Sequence, residues 1–245
     1  MKKKSFFLKP ALLLAASGLL LLGSTVGSAR AALTYYSDSY NAQMSLSSIG
    51  VTLLENGEAV SKQDYKDNGV VSVGKGALLT DLLGEKENLI PGKKYNESLS
   101  VQNSGNIDTF VRVIVTKSWL NADGTTNQEL SPSLIELQLT SGSGWQEDTT
   151  AATPERQVFY YQPLLAAGDK TPNIMDTIRI DNSIADEVNV IREGNTIKYE
   201  YKYDGCTFSL EAEVNAVQTH NAKDAIKSAW GVDVNVNADE TRISL

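Results

Sequence analysis

One histidine, His220, and one cysteine, Cys206, bound the chemistry this 245-residue chain can perform. A zinc peptidase of the HExxH kind needs two imidazoles one helical turn apart with a glutamate between them. His220 stands alone in Gln218-Thr219-His220-Asn221, at an expected strand-to-helix junction, and reads as a polar residue beside a helix cap. Cys206 lies fourteen residues from that histidine and opens an expected strand, so it reads as an inert thiol rather than a nucleophile. One cysteine also excludes an internal disulfide. Carboxylates are plentiful, with Glu211 beside Glu213 and Asp181 near Asp186. Acid–base catalysis needs two carboxyls in different environments. Glu211 and Glu213 fall on the same expected wet face and read as solvated surface. Asp64, Asp67, Asp123 and Asp148 lie in expected loops and can offer hard oxygens to calcium, but no D-x-[DN]-x-[DN]-G loop is present. The row Tyr199, Tyr201, Tyr203 could stack a sugar or form the inner face of a sheet, and the inner face is the expectation. No catalytic set, metal or cofactor is expected, and the chain does not read as an enzyme.

The elements that would position these residues are mostly strands. Tyr95, Leu99 and Val101 share one face of 95–103, and Val111, Val113 and Val115 alternate with Arg112 and Thr116 in 109–117. Ile197, Tyr199, Tyr201 and Tyr203 alternate with Lys198, Glu200 and Lys202. Phe208, Leu210, Ala212, Val214 and Ala216 are expected inward, with Ser209, Glu211, Glu213 and Asn215 outward. A slip of one residue would reverse each set, so burial fixes the register. Turn residues separate the runs: Pro91-Gly92, Ser104-Gly105-Asn106, Asp123-Gly124, Gly142-Ser143-Gly144, Gly168-Asp169 and Gly194-Asn195. Asp204-Gly205, directly between two alternating runs, signals a hairpin. Helix is expected over 221–230, with Asn221 as cap, Asp224 in the first turn, an apolar face of Ala222, Ala225, Ile226 and Ala229, and Gly231 as stop. A second short helix is expected over 76–83. The pattern predicts an all-β fold, an antiparallel, jelly-roll-like β-sandwich with one or two short helices.

Charge and the leading residues speak to location. The chain carries 22 basic and 30 acidic side chains, which argues against nucleic acid as a partner. Lys2, Lys3, Lys4 and Lys9 precede an apolar run over 11–22, and Ala29-Arg30-Ala31 ends a small-residue stretch. That is the layout of a cleaved export signal. The apolar run is shorter than the ~20 residues of a membrane span. The expected organisation is a signal peptide at 1–31, an extended N-terminal segment at 32–47 and a β-sandwich domain at 48–245. Signal peptidase would recognise Ala29 and Ala31 and leave Ala32 first. Residues 1–31 hold five basic and no acidic side chains, so the mature chain would carry 22 − 5 = 17 against 30, a formal −13. No lipobox cysteine, sorting motif or apolar C-terminal tail is seen, so no stable membrane anchor is expected after cleavage.

Three stretches resemble the TasA/camelysin family of secreted Gram-positive proteins, which use a dedicated (SipW-type) signal peptide. The first runs over 18–38, from the apolar part of the signal into the start of the mature chain. The second comprises Leu89-Ile90-Pro91-Gly92 through Tyr95, Val101 to Gly105, Phe110 to Val113 and Trp119. The third is Ala216 through Ile226 to Trp230-Gly231. The resemblance implies a jelly-roll-like sandwich, secretion, and a role in extracellular fibres of a biofilm matrix. In fibre-forming members an extended N-terminal segment is thought to enter a neighbour's sheet. Here the candidate segment, free of proline, holds Leu33, Tyr35, Tyr36, Tyr40 and Met44. Strand addition gives main-chain hydrogen bonds along an open edge while alternate side chains fill pockets. The expected partners are other copies or related matrix proteins. The alternative is a monomeric secreted module that binds carbohydrate or protein, marked by Trp119, Trp145 or the tyrosine row in a shared groove. An extracellular metallopeptidase ranks last, although some relatives are described so.

Overall fold

A computed structural model describes residues 48–66, 69–73, 78–79, 82–83 and 89–245. The chain divides into two compact units, Met1–Leu46 and Ser47–Leu245, and the described residues belong to the second. The signal residues Ala29, Ala31 and Ala32, the segment residues Leu33, Tyr35, Tyr36, Tyr40 and Met44, and Asp67 lie outside the described residues.

The second unit is an antiparallel β-sandwich. One sheet has six strands in the order β3-β2-β1-β4-β10-β7: Gly69–Val73, Glu58–Lys66, Ile49–Glu55, Lys94–Asn103, Met175–Ile180 and Ile135–Leu139. The other has the order β13-β5-β9-β8, Thr207–Gln218, Thr109–Leu120, Arg156–Tyr161 and Trp145–Glu147, with β6 (Thr126–Asn127) also on β5. The chain crosses between sheets from β4 to β5, β6 to β7, β7 to β8, β9 to β10 and β10 to β13, which gives the jelly-roll-like winding.

Alternation builds the core. Val111, Val113 and Val115 of β5 sit opposite Ala216, Val214 and Ala212 of β13 in register. They pack with Val51, Leu53, Leu99, Val101 and Ile178 of the facing sheet. The Asp123-Gly124 turn joins β5 to β6, with Asn121 N–H donating to Thr125 O at 2.8 Å. Gly105 is glycine for space rather than dihedral: a Cβ there would collide with the Ser48 and Gly50 backbones, which the loop hydrogen-bonds.

Helix α1 (Ala222–Trp230) covers one end, burying Ala222 and Ile226 against Phe110, Val217 and Val234. Asp224 is in its first turn, and Gly231, at φ 75°, donates to Lys227 O. Asn221 takes the cap position without a side-chain cap hydrogen bond, at φ 53°, and Ala229 is exposed. Asn215, expected outward, is buried: Arg112 donates to it, and the Arg112 guanidinium lies over the Trp230 ring. The helix end roofs an otherwise wet face. The second helix expected over 76–83 does not appear in the described residues there, where Leu79 has φ 68°, outside the helical region.

Candidate functional site: an exposed strand ribbon and the groove at its base

Strands β11 (Val188–Glu193) and β12 (Thr196–Tyr201) form a two-stranded antiparallel ribbon apart from both main sheets. Gly194, at φ 59°, makes the connecting turn. The register pairs Val188 with Tyr201, Val190 with Tyr199 and Arg192 with Ile197, so these six share one face. The tyrosine row was expected to be core; the structure corrects that. Tyr199 is 62%, Tyr201 57%, Val190 52% and Ile197 49% exposed. The alternation is real, but among the described residues no second sheet reaches the apolar face. The Asp204-Gly205 hairpin is corrected with it: β12 pairs with β11 and β13 with β5. The chain turns twice, through Asp204 N–H to Tyr201 O and Cys206 N–H to Tyr203 O, and the two strands part. On the opposite face Lys198 pairs with Glu200, and at the base Lys202 pairs with Glu187 at 2.7 Å.

Where the ribbon leaves the sandwich there is a groove of about 810 Å³, lined among others by Leu89, Pro91, Trp119, Ile184, Tyr201 and Phe208. Tyr203, unlike its two neighbours in the row, packs on the core, with its ring centroid 4.8 Å from that of Trp119 in an edge contact. The Tyr203 hydroxyl accepts from Ser131 N–H at 3.3 Å, and Trp119 Nε1 donates to Ser131 O at 2.9 Å. One loop thus fixes both rings. Trp119 and Tyr201 line one groove, whereas Trp145 is buried elsewhere and donates to Pro172 O.

The other chemistry-bearing residues are scattered. His220 is exposed in the turn before α1, and Cys206 is half-buried with its thiol near Lys202 O at 3.9 Å. Glu211 and Glu213 are exposed on β13. Asp181 caps a short 3-10 turn through Ser183 N–H at 2.8 Å, and that backbone bond holds its carboxyl below the usual range. Asp64 pairs with Lys62; Asp123 and Asp148 each accept from the threonine two residues on. Among the described residues no three His, Cys, Asp or Glu side chains gather as a metal would need.

Two buried ionisable groups stand outside the candidates that the sequence offers. Glu97 of β4 is 1% exposed, one Oε accepts from Asn56 Nδ2 at 3.2 Å, and the other has no donor among the described residues. Burial, then its hydrogen bond to Glu55, then the Glu55 charge raise its pKa to about 8. A hydrogen bond between two carboxyls requires one proton. Lys117 of β5 is also buried, and desolvation lowers its pKa. Both signals lie in the register: Glu97 shares its face with Tyr95, Leu99 and Val101, and Lys117 with Val111, Val113 and Val115.

Fold and site together define an all-β sandwich carrying an exposed aromatic ribbon. No protein-family model, curated protein or solved structure matches the chain. The likeness to the TasA/camelysin group therefore rests on short motifs alone. Among the described residues no helix is long and apolar enough to cross a membrane.

Proposed function

We propose that this chain is a secreted, non-enzymatic structural protein, a subunit or accessory of extracellular biofilm-matrix fibres that assembles by β-strand addition. The β11–β12 ribbon carries the reading. Each strand has one ladder partner among the described residues, so each offers an outer edge, and one face is apolar and exposed. A lone two-stranded hairpin is marginal in water, and a third strand with a covered face stabilises it. An extended segment of another copy supplies both, with residues 32–47 as the donor and signal cleavage as the event that frees it. The acidic mature chain repels itself, so salt favours assembly. The test is electron microscopy with sedimentation of the chain from residue 32 and from residue 48. Fibres from the first and monomers from the second are expected; monomers from the first at every salt concentration defeat the proposal.

A second reading is favoured by Trp119 and Tyr201 sharing a groove. In it the protein is a monomeric secreted module, and the exposed tyrosines stack a sugar ring or meet a protein side chain. Glycan binding without polymerisation selects it.

A further inference from the structure

All six residues of β12 are exposed, and β11 is its one ladder partner among the described residues. Lys202 N–H donates to Glu187 O at 2.9 Å. Bonded pairs alternate along an antiparallel ladder, so from that bond they run through Asn189 with Glu200 and Ile191 with Lys198. The even-numbered residues of β12 therefore turn their backbone groups to β11. Ile197, Tyr199 and Tyr201 turn theirs to the outer edge.

The side chains restrict what that edge can accept. Lys198 and Glu200 stand two apart on the polar face and form an ion pair along the strand. The β11 residues opposite them, Ile191 and Asn189, carry no charge. A lysine on an edge ordinarily deters a further strand. A lysine and a glutamate two apart instead favour one arrangement. Let β12 of a second copy run antiparallel, related by a two-fold axis through Tyr199. Lys198 then faces the second copy's Glu200, and Glu200 faces its Lys198. Four charges alternate around a square, and each ion pair along a strand is kept. On the apolar face Tyr199 meets its own counterpart at the axis, and Ile197 meets Tyr201 on either side. The three outward residues exchange main-chain hydrogen bonds. Moving the axis one residue, to Lys198 or to Glu200, sets like charges face to face.

We propose that β12 pairs with β12 of a second copy in this register, joining two ribbons into a four-stranded sheet of order β11-β12-β12-β11. The proposal rests on the ribbon being a contact surface, as in the reading above. It leaves the β11 edge to the donor segment and needs no residue of 32–47. Four strands with one apolar face also supply what a lone hairpin lacks. One short strand from each copy is small beside the interface of a stable dimer, so isolated chains part readily. Copies strung along a fibre present many such edges, and their combined hold sets fibres side by side.

Tyr199→Cys in the purified full chain tests this. The axis places residue 199 about 5.5 Å from its counterpart, Cα to Cα, within reach of a disulfide. Residue 197 is offset from its counterpart by four residues, roughly 13 Å along the strand. Mild oxidation at high protein concentration should give a covalent dimer from Tyr199→Cys and about tenfold less from Ile197→Cys. Peptide mass spectrometry distinguishes the 199–199 bridge from any bridge through Cys206. Added to Tyr199→Cys, Lys198→Glu and Glu200→Lys should each lower the yield about fivefold or more. An equal mixture of those two chains should restore it, because every facing pair between them is then of opposite sign. Equal yields from positions 199 and 197 overturn the proposal, as do charge variants that cross-link like their parent or a mixture no better than its parts. Fibres without the 199–199 bridge overturn it and leave the donor-segment reading standing; the bridge without fibres does the reverse.

Discussion

Strand pair β5–β13 and ribbon β11–β12 are written in the same code and end in opposite environments. Both alternate apolar and polar residues at a period of two. In β5–β13 the apolar face meets β1, β4 and β10 and vanishes from solvent. In the ribbon the face of Val190, Ile197, Tyr199 and Tyr201 stays in water. Alternation states that two faces differ. Burial needs a further element to arrive, and among the described residues one arrives at the ribbon's base, where Tyr203 meets Trp119. A face prepared in sequence and left open among the described residues suits the docking role proposed for it.

The sharpest way to break this comparison is to truncate a ring on the buried side. Phe159 of β9 is 3% exposed in the main core. Phe159→Ala should cost about 3–5 kcal/mol, read as a fall in the denaturant midpoint at unchanged slope. A loss within about 0.5 kcal/mol, the ordinary size of a surface substitution, would mean that the sandwich core is not packed as described.

The next effect is a buried carboxyl on the well-covered side. The folded chain holds the Glu97 proton up to about pH 8, whereas an unfolded chain releases it near 4.5. Between those values the folded state binds more protons, so this group makes stability fall as pH rises, with a plateau on either side. Each pKa unit is worth about 1.4 kcal/mol. Glu97→Gln keeps an acceptor for Asn56 and cannot ionise, so it should flatten that decline and gain on the order of 2–4 kcal/mol at pH 9. Unfolding curves at pH 5, 7 and 9 decide it. A variant and parent with parallel pH profiles would mean that Glu55 and Glu97 do not share a proton.

These residues also show how far the sequence could be read. The sandwich was legible because Val111 to Val115 and Leu210 to Ala216 alternate over strands long enough to fix a register. The turn at Asp123-Gly124 and the stop at Gly231 were legible because the backbone there demands particular residues. Glu97 and Lys117 were legible in principle, each at an inward position, but a charge in an apolar row is easily passed over when scanning for hydrophobic residues. What lay beyond the sequence was non-local. Nothing near Tyr199 says that no sheet among the described residues will cover it, and nothing near Asn215 says that Trp230 will.

The smallest expected change in stability tests the ribbon itself. Tyr199 is the most exposed of its row and pairs across the ribbon with Val190. Tyr199→Lys removes a ring from water rather than from a core, so the unfolding midpoint of the monomeric chain should move by about 0.5 kcal/mol or less. Under fibre-forming conditions the same substitution should act strongly, because a charge placed on a face that a partner covers must be desolvated without a counter-ion. If strand addition works as proposed, sedimentation of the chain from residue 32 should then show monomers where the parent assembles. If Tyr199→Lys leaves assembly intact, the apolar face is not where copies meet and strand addition must use another edge. If it destabilises the monomer as Phe159→Ala does, the ribbon is covered within a single chain, and the contrast between the two strand pairs disappears.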